Sequence, residues 1–502
     1  MASLQQRQEK IQTKRKKTPW RDFVRDICSW RNLTFYKSDG MVTRYPISDR
    51  IPNLVTHKDF ENLESLNLEF DSTHFFQKIS FLLLKNPLPP TILFSWTENS
   101  VYSDQTLASK NAYLSNVVIT SEDVLYSYAI RQHSSTIIES ISINSSSHIF
   151  HSRNVFNSSQ IFYSSNIYES SFCWFCSNCV SCHNCIRCDW LEHKSYCIDN
   201  IQLSIEDYKI KMQAILDNKI EYEEWYMNIL NYGLNQINCN NSIWYWIMNC
   251  NESFDVLFSH NIQYWKNLAF ASFNDISENL YDICSVGSMS MNDCYGVMWC
   301  AWAEHIYCSV NVPFCNNTYY SYFLESCTFC LWCVGLKNKS YCILNKQYTK
   351  EERYAKADEI FTQMEKDWQL WEFFPASMNP FYFNDTAAYL IDPSFTKEEV
   401  TKLWYLRRDE PIRVDIPEWA ITVKSSELGQ FESWEQTHPI LPWQGGERQW
   451  KLDETVCKRV ILDENGDAYR IIPMELEFLQ KHGLPLPRKH WLTRMKENFR
   501  IS

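Results

Sequence analysis

The chain has 502 residues and a formal net charge of −12, with 45% hydrophobic and 15% aromatic residues. This length provides ample apolar surface for a core and predicts two to four domains or one long solenoid. The ten glycines form no GxGxxG, GxxxxGKS/T or GxSxG motif, and HExxH is also missing, so the usual phosphate-binding loops and the nucleophile elbow are excluded.

The first 31 residues are basic, with nine positive and three negative charges. They contain no apolar core, and no run of eighteen apolar residues follows anywhere, so neither a signal peptide nor a membrane span is expected. A cytoplasmic protein, or one within a virion or other large assembly, is the corresponding expectation. A basic arm can neutralise phosphates, whereas the alternative is a solvated helix face or frayed terminus. The candidate nucleic-acid-binding residues are Arg7, Lys10, Lys14, Arg15, Lys16, Lys17, Arg21 and Arg25.

Residues 32–105 have the pattern of a small mixed α/β region. Phe75 to Leu84 suits a helix with one buried face, and the proline-rich stretch 86–90 ends it. No catalytic pattern is present in this region.

A three-residue period begins near Asn111, slips near His133 and then continues without a break to Cys188. An amphipathic helix needs apolar residues at mixed spacings of three and four, and a half-buried strand alternates by two. The positions in register are first Ile or Val alternating with Ser and then only Cys: Ile137, Ser140, Ile143, Ser146, Ile149, Ser152, Val155, Ser158, Ile161, Ser164, Ile167, Ser170, Cys173, Cys176, Cys179, Cys182, Cys185 and Cys188.

This period predicts a narrow parallel β-solenoid whose lumen holds every third side chain. Coils of twelve or eighteen residues both satisfy it. Twelve is preferred because Ser and Cys are too small to fill a wide lumen at protein packing density. The alternative, a Ser-rich linker, does not explain why the phase is kept.

The whole unit then repeats. The run from Cys182 to Cys197 recurs from Cys327 to Cys342, with each matching residue 145 positions later. The second copy keeps the three-residue frame: Cys294, Val297, Cys300, Ala303, Ile306, Ser309, Val312, Cys315, Thr318, Ser321, Leu324, Cys327, Cys330 and Cys333. A tandem duplication is therefore predicted.

Helical segments follow both copies. The first starts after Ser204, a candidate N-cap, and runs towards Leu230. Thr349 and Glu352 form a candidate capping box, as do Thr396 and Glu399 before a shorter helix. In the C-terminal part, Val460–Leu462 and Arg470–Ile472 are predicted to form a hairpin, and a helix is predicted from Pro473 to Gly483.

Several segments resemble a group of uncharacterised Cys-rich repeat proteins that are common in ultra-small, candidate-phylum bacteria. The similar segments are the CxxC run that closes in Leu-x-x-Lys-Ser-Tyr-Cys-Ile-x-Asn, residues 469–478, 484–488, 31–37 and 98–102. The resemblance implies terminal zinc ribbons, but the C-terminal ribbon is degenerate here. Cys457 keeps its place, Val460 replaces its partner, and His490 and Thr493 stand where the second pair would be. Two donors do not make a structural zinc site, so none is predicted there.

The cysteine ladder permits three interpretations. Repeated CxxC spacing suits zinc, and stacked coils would permit disulfides. The preferred interpretation is core filling, because each Cys takes a position that Ile or Ser holds earlier. No cofactor is therefore expected, with zinc as the alternative. The candidate metal ligands are Cys173, Cys176, Cys179, Cys182, Cys185, Cys188, Cys327, Cys330 and Cys333.

Aromatic residues outside the lumen register are frequent in the second copy. They are expected either to form a partner surface or to pack beneath the terminal regions. The candidates for the partner surface are Trp244, Trp246, Trp265, Trp299, Trp302 and Tyr320.

The expected fold class is mainly β with α: a tandem-duplicated narrow parallel β-solenoid with helical segments and small α+β terminal domains. The segments are 1–31, a basic arm; 32–105, a mixed region; 106–202 and 233–346, the solenoids; 203–232, a helical connector; 347–439, helical or irregular; and 440–502, α+β. No catalytic constellation is present. The expected function is a non-enzymatic scaffold that binds other protein subunits, with nucleic-acid association and metal or thiol binding as alternatives.

Overall fold

The computed structural model describes residues 20–217, 225, 300–301, 312–313, 315–370, 372–409, 416–436 and 448–499. The chain divides into two compact units, each made of two stretches distant in sequence. Unit 1 comprises Met1–Ser109 and Leu234–Arg408, and unit 2 comprises Lys110–Gly233 and Asp409–Ser502. The N-terminal segment thus belongs with the second solenoid copy, and the C-terminal segment belongs with the first.

In unit 2 the predicted parallel β-solenoid is confirmed over 110–198. Each coil contributes one four-residue strand to each of two parallel sheets. Ser135 pairs with Ser147 and Ile137 with Ile149, so the coil has twelve residues. The first sheet contains Lys110–Tyr113, Glu122–Leu125, Ser135–Ile138, Ser147–Phe150, Ser159–Phe162, Ser171–Trp174, His183–Ile186 and Ser195–Ile198. The second contains Asn116–Ile119, Tyr128–Arg131, Ile141–Asn144, Arg153–Phe156, Ser165–Tyr168 and Ser177–Val180.

The slip in the sequence period is a one-residue insertion in a single coil. Tyr128 pairs with Ile141, thirteen residues later, whereas the neighbouring pairs keep a spacing of twelve. Gln132 and His133 both have positive φ at this turn, at 53° and 60°. The extra residue therefore lies in a turn and leaves the lumen frame intact.

The lumen has two apolar columns and two serine columns, and all of these side chains are buried. One apolar column is Val124, Ile137, Ile149 and Ile161, and Cys173 continues it. In the serine columns each hydroxyl bridges two coils. The Ser152 hydroxyl donates to the Phe150 carbonyl (2.8 Å) and accepts the Ser164 N–H (3.0 Å). Serine thus satisfies buried backbone groups at the corners, where the strand ladder has ended.

Replacing Ser152 by Ala is expected to destabilise unit 2 by about 1–2 kcal/mol, because the Ser164 N–H loses its buried acceptor. Ser152→Cys is expected to cost less, since thiols take over this position in later coils. The free energy of unfolding and the exchange rate of the Ser164 amide measure the effect. Ser147→Ala, on the half-buried outer surface of the solenoid, is the control. Equal losses for Ser147→Ala and Ser152→Ala would contradict the bridging role.

The backbone has a second period of three, which was not predicted from the sequence. Across 111–200 the residue before each lumen position is left-handed, with φ between +46° and +63°. This conformation is costly for most residues other than glycine, and Asn is among those that tolerate it better. Asn154 and Asn166 occupy such positions, and their amides join in a ladder, Nδ2 to Oδ1 at 2.9 Å. Stacked amides and coil-to-coil hydrogen bonds therefore hold a backbone that would be unfavourable in isolation.

The C-terminal part of unit 2 is a small α+β assembly. Thr422–Lys424 runs parallel to Val460–Leu462, which pairs antiparallel with Ala468–Tyr469. The predicted hairpin is present, but it returns two residues earlier than expected. Glu432–Gln436 and Arg448–Leu452 form a second hairpin. The helices are Ile205–Asp217, Pro473–His482 and Trp491–Phe499, with 3-10 turns at Ser425–Phe431 and Glu454–Lys458. Gly483 ends the second helix with φ 66°, as predicted.

In unit 1 the described part of the second solenoid copy has the predicted frame. Cys315, Thr318, Ser321 and Leu324 are buried in the lumen, and Tyr322 pairs with Val334 in a parallel ladder of spacing twelve. The strands of this copy are Cys300–Ala301, Val312–Pro313, Tyr322–Glu325, Val334–Lys337, Cys342–Ile343 and Lys346–Gln347. Cys294, Val297, Ala303, Ile306 and Ser309 lie outside the described residues.

The remainder of unit 1 packs around this solenoid. Its helices are Trp20–Asp26, His57–Asn62, Phe75–Lys85, Lys350–Lys366, Ala387–Ile391 and Lys397–Lys402, with 3-10 turns at Cys28–Trp30, Ala376–Met378 and Phe383–Asp385. Its other strands are Tyr36–Ser38, Met41–Thr43, Asn53–Leu54, Pro87–Leu88 and Asp104–Leu107. The helices expected after residue 74, after Thr349 and after Thr396 are therefore confirmed, and the Thr349–Glu352 capping box is formed.

Both solenoid copies end in the same way. The Asn200 side chain accepts the Asp189 N–H (2.9 Å) and donates to the Asp189 carbonyl (3.0 Å), as another backbone segment would. Asn345 makes the same two contacts with Val334, at 2.9 and 3.0 Å. Each asparagine lies in the turn of a short antiparallel pair, and a helix follows that pair. The duplication therefore extends beyond the cysteine run and includes the closure of the solenoid.

Candidate functional site

The cysteine ladder lies inside the two lumens. Cys173, Cys176, Cys179 and Cys182 fill successive lumen positions around one coil, and each is a free, buried thiol. The Cys176 N–H donates to the Ser164 hydroxyl (3.0 Å), and its Sγ–H donates to the Trp174 carbonyl (3.3 Å). Cysteine therefore occupies the bridging position that serine occupies in earlier coils. The same burial holds for Cys185, Cys188, Cys327, Cys330 and Cys333.

Burial also sets the chemistry of these thiols. It raises the pKa of Cys176, Cys315 and Cys333 well above the ordinary value of 9.0, because a thiolate there would lose its hydration. Hydrogen bonds from neighbouring thiols instead lower the pKa of Cys173 to about 5, of Cys182 to about 3 and of Cys188 to about 4. All of these side chains are buried, and a thiol that reagents cannot reach is a poor nucleophile whatever its pKa. Within the described ranges, no three His, Cys, Asp or Glu side chains are arranged to hold a metal ion. The arrangement favours packing over reactivity.

Iodoacetamide is expected to modify Cys457 in the folded protein while the thirteen buried thiols of the described residues stay unmodified until unfolding. Peptide mass spectrometry locates the modification, and elemental analysis after reductive purification measures metal per chain. Rapid labelling of Cys176 or Cys330 would contradict a closed lumen. A stoichiometric metal that is lost when Cys173–Cys188 are replaced would identify the ladder as a metal site instead.

Two of the candidate nucleic-acid-binding residues are described, and both are held by carboxylates. The Arg21 guanidinium contacts Asp392 (3.3 Å) and Glu399 (2.9 Å). Arg25 contacts Asp22 (2.7 Å) and Asp26 (2.6 Å). These ion pairs already neutralise the two guanidinium groups. Arg7, Lys10, Lys14, Arg15, Lys16 and Lys17 lie outside the described residues.

Arg25 also lines a cavity of about 240 Å³ in unit 1. Three carboxylates share the wall with it, from Asp22, Asp26 and Glu372, and Phe373 forms part of the apolar side. One positive charge against three negative charges does not favour a phosphate at this place.

Tyr320 is the described member of the predicted partner surface, and it is buried. Its ring packs edge-on against Phe75 (4.8 Å between centroids) and against Phe374 (6.3 Å). For this residue the structure supports the alternative interpretation, packing beneath a terminal region, and Tyr320 is not part of an exposed face. Trp244, Trp246, Trp265, Trp299 and Trp302 lie outside the described residues.

The residues at the positions of the predicted degenerate ribbon make hydrogen bonds through their backbone groups. The Arg470 side chain donates to the Cys457 carbonyl (2.8 Å), and the His490 N–H donates to Asp463 (3.2 Å). Burial lowers the pKa of His490 below its ordinary 6.5.

A buried charged cluster in unit 2 was not predicted from the sequence. It joins the solenoid wall to the two C-terminal helices and consists of Tyr126, Glu139, His151, Glu475 and Arg494. Arg494 forms an ion pair with Glu139, and its guanidinium also lies 3.4 Å from a carboxyl oxygen of Glu475. His151 Nδ1 lies 3.0 Å from Glu139, and the Tyr126 hydroxyl donates to Glu475 (3.2 Å). Glu139 and His151 are twelve residues apart, a signal that they stack, but nothing local indicates that Arg494 joins them.

Burial raises the pKa of Glu475 to about 8 from the ordinary 4.5, because the carboxylate is fully desolvated. With Glu475 protonated, the positive charge of Arg494 balances the negative charge of Glu139. Between about pH 4.5 and pH 8, the folded chain therefore keeps a proton on Glu475 that the unfolded chain has already released.

The contribution of Glu475 to the free energy of unfolding of unit 2 is therefore expected to be largest below about pH 4.5. It is expected to fall as pH rises towards 8, by up to about 1.4 kcal/mol per unit. Denaturant titrations between pH 5 and 8 measure the slope. Glu475→Gln should flatten it, whereas Glu477→Gln, exposed on the same helix, should leave it unchanged. Parallel slopes for the wild type and Glu475→Gln would rule out this proton.

Each solenoid also carries an outer apolar surface that is covered by a distant part of the chain. In unit 1, Phe75 stacks on Trp332 at 4.4 Å. In unit 2, Phe478 lies 5.8 Å from Phe150 and 6.3 Å from Phe162. The covered column of unit 2 is Leu125, Ile138, Phe150, Phe162, Trp174, Ile186 and Ile198.

Comparison with protein-family models, with curated proteins and with solved structures finds no match for this chain. Among the described residues, no helix combines the length and the apolar composition that crossing a bilayer requires.

Proposed function

We propose that this chain is a non-enzymatic scaffold whose two solenoids hold polypeptide segments and assemble protein subunits. The observation that carries the proposal is that the outer wall of each solenoid already binds an aromatic side chain from a distant part of the chain. Trp332 in unit 1 holds Phe75, some 250 residues earlier in the chain. Phe150 in unit 2 holds Phe478, more than 300 residues later.

The physical basis is the regularity of the wall. Stacked coils repeat the same side-chain position every twelve residues, so a row of apolar side chains forms without bending the backbone. The lumen and its hydrogen bonds keep that row rigid, which lowers the entropy lost on binding. Kinship with the Cys-rich repeat proteins of candidate-phylum bacteria, and a place in a large assembly, are part of the same proposal.

Chemical crosslinking followed by size separation of native extracts tests this function. The expected result is a defined complex with other polypeptides that survives nuclease treatment and a change from 0.15 to 0.5 M salt, because apolar contacts are weakly screened. A complex that dissolves under either treatment would identify nucleic acid as the partner, since phosphate contacts weaken steeply with salt. A chain that stays monomeric in the extract would also refute the scaffold.

A further inference from the structure

The last coil of the solenoid in unit 1 carries a docked extended segment, residues 65–69. This segment crosses the closing asparagine and contacts the coil through backbone and side chains. The contacts are Leu68 N–H to the Leu344 carbonyl (3.0 Å), Asn345 Nδ2 to the Leu66 carbonyl (2.8 Å), Ser65 Oγ to the Gly335 carbonyl (3.2 Å) and Lys346 Nζ to Glu69 (2.7 Å).

The docked segment continues along the helix that follows the coil. Lys356 lies 4.0 Å from the centre of the Phe70 ring, and Ser72 donates to Glu359 (3.0 Å). Gly335 faces the neighbouring stretch at 86–88, where a Cβ would lie 2.6 Å from Asn86 Nδ2. In unit 1 these segments therefore cover this end of the solenoid, where Leu344 is buried and Asn345 is half-buried.

Among the described residues of unit 2, no segment takes the corresponding place at this end of the solenoid. Gly335 corresponds to Trp190, Leu344 to Asp199, Asn345 to Asn200 and Lys346 to Ile201, each 145 positions earlier. Trp190 is 54% exposed and Ile201 is 62% exposed, and Asp199 and Asn200 are exposed as well. The backbone there follows the same course, since Trp190 and Gly335 are both left-handed and both asparagines make the same cap.

We propose that this terminal coil face of unit 2, formed by Trp190, Asp199, Asn200 and Ile201, binds an extended peptide segment of a partner protein. The inference deepens the proposed function and rests on it. The bound segment runs as 65–69 runs in unit 1, with its carbonyl on Asn200 Nδ2 and its N–H on the Asp199 carbonyl.

The two substitutions between the copies define the chemistry of the occupant. Ile201 replaces the lysine that pairs with Glu69, so an apolar side chain is favoured where unit 1 holds a carboxylate. Trp190 adds a large exposed ring where unit 1 has glycine, and the ring provides apolar area for the bound side chains. Asp199 adds no free charge, because Arg187 holds it through two contacts of 2.7 and 2.8 Å.

The test uses the full chain and a fluorescein-labelled peptide of residues 64–72 in which Glu69 is replaced by Leu. Fluorescence anisotropy is expected to show saturable binding that Trp190→Ala weakens at least tenfold. Trp419→Ala, which removes a tryptophan that is 83% exposed in the same unit, is the control and should leave binding unchanged. Ile201→Lys is expected to reverse the preference at least tenfold, in favour of the peptide that keeps Glu69.

Three results would overturn the proposal: no saturable binding, equal binding to Trp190→Ala and wild type, or loss of binding in Asn345→Ala instead, which would place the peptide in unit 1. None of these results would remove a nuclease- and salt-resistant complex in native extracts. Failure of the peptide site is therefore distinguishable from failure of the scaffold function.

Discussion

Replacing Arg494 by methionine is expected to lower the free energy of unfolding of unit 2 by about 3–5 kcal/mol. Arg494 is buried between Glu139 and Glu475, and its guanidinium also lies 5.7 Å from the centre of the Tyr126 ring. Burial lowers the pKa of Arg494 to about 10 from the ordinary 12.5, because the neighbouring groups only partly offset the lost hydration of the guanidinium. Removing the cation leaves Glu139 charged in a place that water does not reach.

Denaturant unfolding, together with hydrogen exchange of the coils that carry Glu139 and His151, measures this loss. Arg488→Met, at an exposed position between the last two helices, is the matched control and should change stability by less than about 0.5 kcal/mol. Adding Glu139→Gln to Arg494→Met should recover part of the loss, because the uncompensated charge is then gone. If the double variant is no more stable than Arg494→Met, the cost comes from packing and not from charge.

Replacing Ile149 by alanine is expected to destabilise unit 2 by about 2–5 kcal/mol. Ile149 lies in the middle of an apolar column, with Ile137 in the coil before it and Ile161 in the coil after it. The surrounding coils are tied by backbone ladders and cannot collapse into the space left behind, so the cavity remains.

Ile210→Ala, at a helix position that is 71% exposed in the same unit, is the control and should have little effect. Ile149→Cys should cost less than Ile149→Ala, because the chain itself replaces isoleucine with cysteine at Cys173 in this column. Comparable losses for Ile149→Ala and Ile210→Ala would mean that the lumen contributes little to stability.

The lumen could be predicted from the sequence because every coil requires the same kind of side chain at the same position. Ile143, Ser146 and Ile149 each pack against the equivalent residue of the neighbouring coil. The period of three in the sequence therefore follows directly from the packing in the lumen. The slip at His133 and the caps at Ser204 and Thr349 were visible for the same reason, since each depends on residues only a few positions apart.

The surfaces that carry function could not be predicted in this way. Whether Tyr320 is exposed depends on Phe75, and the partners of Arg21 lie nearly 400 residues away. The charged cluster depends on Arg494, whose own surroundings in the sequence are those of an ordinary surface helix. The left-handed positions carried a weak signal in the sequence, because Asn, Ser or His often precedes the lumen residue. This signal can be interpreted only once the coil is known.

The order in which the two units obtain their parts has a consequence for biosynthesis. The first solenoid leaves the ribosome long before the helix at Pro473–His482 that covers its Phe150 and Phe162 column. Translation at about 5–20 residues per second makes this interval tens of seconds. An apolar column that includes Phe150, Phe162 and Trp174 therefore lacks this cover during synthesis. We expect a chaperone or an early-arriving subunit to keep nascent chains from pairing through it.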